Sequence, residues 1–391
     1  MCPVRRETRV RIRFGWVVAL AVACAAWPAA ALAASITGLG FLPLRNPVSF
    51  PNAISEDGSV VVGISFADVP RSGRFEAFRW EGSTGMIGLG VPDVAPGETP
   101  FSEAYGVSAD GSFVVGVFIG SSGWRDPVGW RFSGGTFERV PIPGLGIGDT
   151  PSAVTPDGSI VVGDAFRVEI STGHRSSLAD LPGGATRLHA SGVSADGRFV
   201  VGLGYSDAGM QAVRWDESNV PLALAPARSQ AFAVSANGAV VVGELGGRAF
   251  RWDETRGLTL LSDVSGADLG SSAIGMSADG SIVVGGYQTG PGIEHAVLWD
   301  LAGFAHPLEA LLAGLGVDLS GWSQLERATA ISADGTRIVG YGIDVDGNRQ
   351  AWLAVIPEPG TGLSIGIGLA LLAAPQWLRG SAPRRRAARP R

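Results

Sequence analysis

Apolar and polar positions along this chain follow one short pattern that recurs seven times. It reads "AISEDGSVVVG" from residue 53, "GVSADGSFVVG" from 106, "AVTPDGSIVVG" from 153 and "GVSADGRFVVG" from 192. It continues as "AVSANGAVVVG" from 233, "GMSADGSIVVG" from 275 and "AISADGTRIVG" from 330. The Asp-Gly or Asn-Gly pairs begin at residues 57, 110, 157, 196, 237, 279 and 334, so successive spacings are 53, 47, 39, 41, 42 and 55. The motif keeps its length while the spacing varies, which assigns the variation to loops. Asp-Gly and Asn-Gly tolerate positive φ at both residues and predict a tight type I′ hairpin turn. The β-branched run that follows, Val60, Val61 and Val62 in the first copy, predicts a strand buried on both faces. Gly63 and its equivalents are expected to end that strand.

Two further elements accompany most copies. "EAFRW" at 76–80, "QAVRW" at 211–215, "RAFRW" at 248–252 and "HAVLW" at 295–299 alternate with the period of two expected of a strand. The third copy has "AFRVE" without the Trp, and the seventh has "QAWLA" with the Trp displaced. A Leu- and Gly-rich element follows, as in "GMIGLG" at 85–90, "PIPGLG" at 141–146 and "GLTLLS" at 257–262. An antiparallel unit of three or four strands, repeated seven times at roughly 45 residues, predicts an all-β, seven-bladed β-propeller over residues 34–356. The seventh copy has no third element after it, whereas "ITGLGFLPL" at 36–44 matches the missing one. An N-terminal strand completing the last blade would close the ring and remove an exposed sheet edge. A β-solenoid is the rival architecture, but its rungs are usually shorter and draw nothing from this complementary end.

Composition agrees with many tight turns: 58 residues are Gly and only 17% are charged. There is no Lys. Five Arg precede residue 20 and six follow residue 378. The segment between 34 and 357 then holds 19 Arg against 34 acidic residues, about −15, which argues against nucleic acid as a partner. The only cysteines, Cys2 and Cys24, precede residue 34, which leaves the repeat region without thiols for a disulfide or a Cys-based zinc site.

The first 33 residues combine Arg5, Arg6, Arg9, Arg11 and Arg13, an apolar run from Trp16, and small residues at Ala31 and Ala33. This predicts a secretory signal peptide cleaved after Ala33. Residues 361–378 carry no charge and are close to the minimum length for a spanning helix. Arg379 and the triplet Arg384, Arg385 and Arg386 then supply a cytoplasmic stop. Pro357-Glu358-Pro359, an apolar segment and an Arg cluster, over residues 357–391, resemble the PEP-CTERM sorting signal. That resemblance implies processing by an exosortase-type membrane peptidase in a Gram-negative bacterium that makes exopolysaccharide. It also implies transient insertion of 361–378 in the inner membrane before delivery to the cell surface or extracellular matrix. The paired "VSADGSxVVG" and "HAxxW" elements resemble the HAF extracellular repeats, with only His295-Ala296 retaining the His. This second resemblance supports an exported location.

Candidate chemistry is sparse. "SADGS" lacks the spacer and following Trp of a sialidase Asp-box. No pair among His174, His189, His295 and His306 has metal-binding spacing, and each reads as a surface or structural histidine. "DVDGN", with Asp344, Asp346 and Asn348, is the best metal candidate, as clustered oxygens around Gly347, but it lies between two predicted strands and reads as a hairpin turn. Trp80, Trp130, Trp215, Trp252 and Trp299 recur at one place in the unit, which predicts packing between blades. No catalytic residue or cofactor emerges. The expectation is therefore a structural or binding propeller of the envelope or exopolysaccharide matrix, with exopolysaccharide or surface proteins as partners, and not an enzyme. The alternative is a secreted glycan-active hydrolase or lyase with its site at the propeller channel. Acidic, His or Tyr residues converging on one channel mouth, in a way the repeat does not dictate, would mark that alternative.

Overall fold

The structure is a computed structural model that describes residues 33–43, 47–69, 72–92, 99–184, 188–265 and 269–357. The signal segment with Ala31 lies outside the described residues. So does the sorting segment from Glu358 onward, with Pro359, Arg379, Arg384, Arg385 and Arg386. Among the described residues, no helix is long and apolar enough to cross a membrane.

Seven four-stranded antiparallel sheets form a β-propeller, and six of them take their strands in chain order. In the first blade these are Ser49–Ile54, Val60–Val69, Ser72–Glu81 and Gly85–Gly88. The seventh is assembled from both ends: Trp322–Ile331, Arg337–Asp344 and Arg349–Val355 are completed by Ser35–Gly40. Ile36 pairs with Ala354 and Thr37 with Leu353, so the expected closing strand is present. Closure is reinforced where Ser49 Oγ accepts from Ala351 N (2.9 Å) and Thr329 Oγ1 donates to Pro51 O (2.8 Å).

The core is divided among the blade junctions. Seven apolar clusters each combine residues of two adjacent blades, such as Val62 and Ala77 with Val114 and Trp130. Trp130, Trp215 and Trp299 are fully buried in these seams, and each indole N–H donates to a carbonyl of the preceding blade: Leu89, Ala179 and Ser262. Trp80 and Trp252 are half-buried. The Arg that precedes this Trp bridges to the next blade's turn: Arg79 donates to Gly111 O and Arg214 to Gly238 O. Stability therefore accrues junction by junction, and an open ring would leave one apolar seam in water.

Two local readings need correction. Gly58 has φ of 70°, but Asp57 is not at positive φ, so the turn is not type I′. Gly58 N donates to Ser55 O and Ser55 N to Val60 O, a wider turn with only the glycine in the left-handed region. The aspartate has another task. Asp57 Oδ1 accepts from Ser55 Oγ (2.7 Å) and Ser59 N (2.9 Å), while Ser55 Oγ accepts from Val60 N (2.9 Å). The arrangement recurs in all seven blades, through Asn237 in the fifth. Five junctions also carry a turn-to-turn main-chain bond, from Ala109, Ala195, Ala236, Ala278 and Ala333. Pro156 has no N–H to donate to the next turn.

The glycine after the Val run ends its strand only in the third blade, Ile160–Gly163; in the first, Val60–Val69 continues past Gly63, and the other five likewise run on. Each innermost strand has a bulge, as between Pro51 and Ala53, that presses its carbonyl against the second strand. A Cβ at Gly63 would lie 2.1 Å from Phe50 O. At the six equivalent glycines it would lie 1.9–2.1 Å from the corresponding carbonyl. The sequence also gave no expectation of the helix Leu308–Gly314, which sits between the sixth and seventh blades. It buries Leu308 and Leu312, and its Glu309 accepts from Leu325 N.

Candidate active site

The seven innermost strands enclose a central cavity of about 280 Å³. One triplet from each blade lines it, with Ala or Gly in the middle, as in Asn52-Ala53-Ile54 and Tyr105-Gly106-Val107. The first residue of each triplet is the bulge residue: Asn52, Tyr105, Ser152, Ser191, Phe232, Ile274 or Thr329. A bulge leaves its residue unpaired and re-aims the side chain, so these positions are free of the repeat's packing demands. Polar residues occupy the first four blades and the seventh, while Phe232 and Ile274 give the fifth and sixth an apolar wall.

Two positions upstream the blades carry Phe50, Glu103, Thr150, His189, Gln230, Ser272 and Arg327. This ring lies towards the channel end opposite the Asp-Gly turns, and its members differ from blade to blade. His189 reaches back from the fourth blade to the third. Its Nε2 is 3.5 Å from Ser152 Oγ and its Nδ1 is 3.4 Å from Asp164 Oδ1. Thr150 N donates to Asp164 Oδ2 (3.0 Å), and Ala190 N donates to the Asp164 carbonyl, which fixes the carboxylate between the blades. Burial pushes the Asp164 carboxyl up, but the bond and charge of His189 and the Thr150 amide together hold it below the usual carboxylate range. The side chains of His189 and Asp164 are 39% and 42% exposed, open enough for a ligand to reach.

The second blade adds a further pair. The Tyr105 hydroxyl donates to Glu103 Oε2. Burial, then the charge and hydrogen bond of Glu103, push Tyr105 far above its ordinary value, with Arg125 opposing, so the phenol stays protonated at neutral pH. Arg125 Nη1 donates to Thr150 Oγ1 (3.2 Å). A histidine with a hydroxyl on one nitrogen and a carboxylate on the other, beside a phenol and a guanidinium, can move protons and hold an anion. Blades five to seven carry a second cluster. There Arg327 Nε donates to Glu294 Oε1 (2.6 Å), Arg349 binds the buried Glu326 at 2.6 and 2.7 Å, and burial raises the Glu244 carboxyl. A cavity of about 160 Å³ lies against Glu244, Ser272, Gln288, Glu294 and Arg327.

The other sequence candidates lie elsewhere. Asp344 Oδ1 accepts from Asp346 N (3.0 Å) and Asn348 N (2.8 Å), so this carboxylate serves a hairpin turn. Among the described residues, no group of three or more acidic, His or Cys side chains could hold a metal ion. His174 lies in an outer turn, His295 stacks on Tyr287, and His306 meets Asp300 (3.1 Å). His189, expected as a surface or structural histidine, is partly exposed and meets Ser152 and Asp164. Aligning the copies seven residues upstream of the turn aspartate would have isolated it, because no two blades share a residue there.

No family model matches the chain, and no curated protein matches its sequence. Among solved structures it is similar to oligogalacturonate lyase from Vibrio parahaemolyticus, at 13% identity and a TM-score of 0.50, over 83% of this chain and 94% of that one. It also resembles the periplasmic gluconolactonase of Pseudomonas aeruginosa, at 15% identity and a TM-score of 0.41, over 79% and 98%. TolB from Acinetobacter baumannii aligns at 13% identity and a TM-score of 0.39, over 77% and 82%. These likenesses establish the fold and no activity. The expectation of a non-enzyme is nonetheless overturned. It rested on the lack of a linear motif, whereas groups able to transfer a proton, far apart in the chain, meet across blades three and four. The chain is a seven-bladed β-propeller of an architecture that also carries enzymes.

Proposed function

We propose that the protein is a glycan-active enzyme, a hydrolase or lyase, whose site is the channel mouth of blades two to four. The observation that carries this reading is the convergence of Ser152, Asp164 and His189 beside Tyr105, Glu103 and Arg125, with Glu103, Tyr105, Asp164 and His189 repeated in no other blade. Apolar Phe232 and Ile274 across the cavity suit the mixed polar and apolar faces of a sugar. Arg125 suits an acidic one. The nearby fold of a lyase acting on oligogalacturonate is compatible with this substrate class.

The test is turnover of a panel of acidic and neutral polysaccharides by the full-length protein, followed by new reducing ends, unsaturated uronates and released acids. Product formation that His189→Ala abolishes supports the reading, and no product from any member refutes it. The terminal segments support export of this enzyme to the cell surface or matrix, where exopolysaccharide is the available glycan and an exosortase-type peptidase the processing partner. Mass spectrometry of the mature termini tests that address, and an intact chain through Arg391 in the outer fraction contradicts it.

A further inference from the structure

We infer that Ser152 is the nucleophile of an ester hydrolase, with His189 as its general base and Asp164 as the residue that positions His189. The reaction would remove O-acyl groups carried by a glycan. This rests on the glycan-active reading above and narrows it to one reaction. The geometry is that of a nucleophile, a base and an orienting carboxylate in sequence: Ser152 Oγ at 3.5 Å from His189 Nε2, and His189 Nδ1 at 3.4 Å from Asp164 Oδ1. Such contacts are commonly this loose without substrate and tighten in the complex. The carboxylate is held on its far side by Thr150 N. His189 and Asp164 depart from the repeat, whereas Ser152 has a counterpart in Ser191 of the fourth blade. Ser152 stands on a bulge, which presents its hydroxyl to the cavity, and Asp164 directly follows the glycine that clears the Thr150 carbonyl.

The chemistry balances without any further reactant than water. Ser152 Oγ attacks the acyl carbonyl carbon while its proton passes to His189 Nε2, and the tetrahedral adduct expels the sugar alkoxide, which takes that proton back. Water, deprotonated by His189, then cleaves the acyl-Ser152 ester and releases the carboxylic acid and the free hydroxyl. Ser152 also lines the central cavity of about 280 Å³, in which an acyl group carried by the sugar can sit.

The experiment combines active-site labelling with ester turnover by the full-length protein. A fluorophosphonate probe is mapped by peptide mass spectrometry, and acetate release is followed from p-nitrophenyl acetate and from acetylated pectin. The expected result is one adduct, on Ser152, with acetate released from both esters. Ser152→Ala loses the adduct and on the order of 10³-fold or more in kcat, while His174→Ala, in an outer turn, changes nothing. Asp164→Asn lowers kcat by on the order of 10³–10⁴-fold with KM unchanged, a split that a purely structural carboxylate would not give. Undiminished acetate release by Ser152→Ala, or an adduct on another residue, overturns the inference whatever His189→Ala does to folding. Chain cleavage of pectin without adduct or acetate also overturns it and leaves the glycan site standing. No turnover of any kind removes both.

Discussion

Replacing Gly243 by Ala probes the feature that fixes the geometry of every blade. The added Cβ would stand 2.0 Å from Gln230 O and 2.9 Å from both the Ala231 Cα and a Phe250 ring carbon. Ordinary contacts need more than an ångström beyond the first distance, and the nearest atom is backbone in a paired strand. Either the innermost strand shifts or the second strand leaves its register with Phe250. Overpacking of this kind costs about 1–3 kcal/mol, and backbone displacement places Gly243→Ala at the upper end. Gly85→Ala is the control. It has φ of 72° but nothing within 4 Å, so only the left-handed backbone resists it, at about 1–2 kcal/mol. Urea unfolding of the full chain, monitored by Trp fluorescence, reads both. Gly243→Ala should lower the midpoint more than Gly85→Ala does. An unfolding free energy for Gly243→Ala within ~0.5 kcal/mol of the parent's would show that the Gln230 carbonyl does not press on the second strand, and the account of all seven glycines would fall.

Other perturbations follow from the same geometry. Trp130→Ala empties a fully buried seam and loses the bond to Leu89 O, so unfolding should cost about 3–5 kcal/mol less, read as the shift in urea midpoint. Asp57, Asp110, Asp157, Asp196, Asp279 and Asp334 are all held below the usual carboxylate range, because hydrogen bonds from the turn's hydroxyls and amides outweigh partial burial. A depressed carboxylate stabilises the fold above its unfolded value of 3.8, and that stability is lost as pH falls through the folded values. The thermal midpoint should therefore be flat near neutrality and drop below about pH 4, less steeply when the six become Asn, as Asn237 already is. Deleting residues 35–40 should open the ring between blades seven and one, raising protease cleavage and the radius seen by small-angle scattering.

The fold was legible because each blade is a local unit: turn, Val run and Trp-bearing strand lie within one copy, and the orphaned element at 36–44 announced the closure. The roles inside the copy were less so. Asp57 was read as a backbone-tolerant residue when it acts through its carboxylate, and Gly63 as a strand end when it yields space to Phe50 O. Neither task shows in one-dimensional periodicity, because one lies in hydrogen bonds within the turn and the other in the close approach of the neighbouring strand. The candidate site was hidden for a related reason. Ser152, Asp164 and His189 are spread over 37 residues and two blades, and only the ring brings them together.

The most direct test compares the wild-type protein with His189→Ala on the best glycan of the panel. A site at the channel mouth predicts that turnover falls by on the order of 10³-fold or more while the urea midpoint stays close to the parent's. Equal rates in the two proteins would contradict the placement of the chemistry at this mouth.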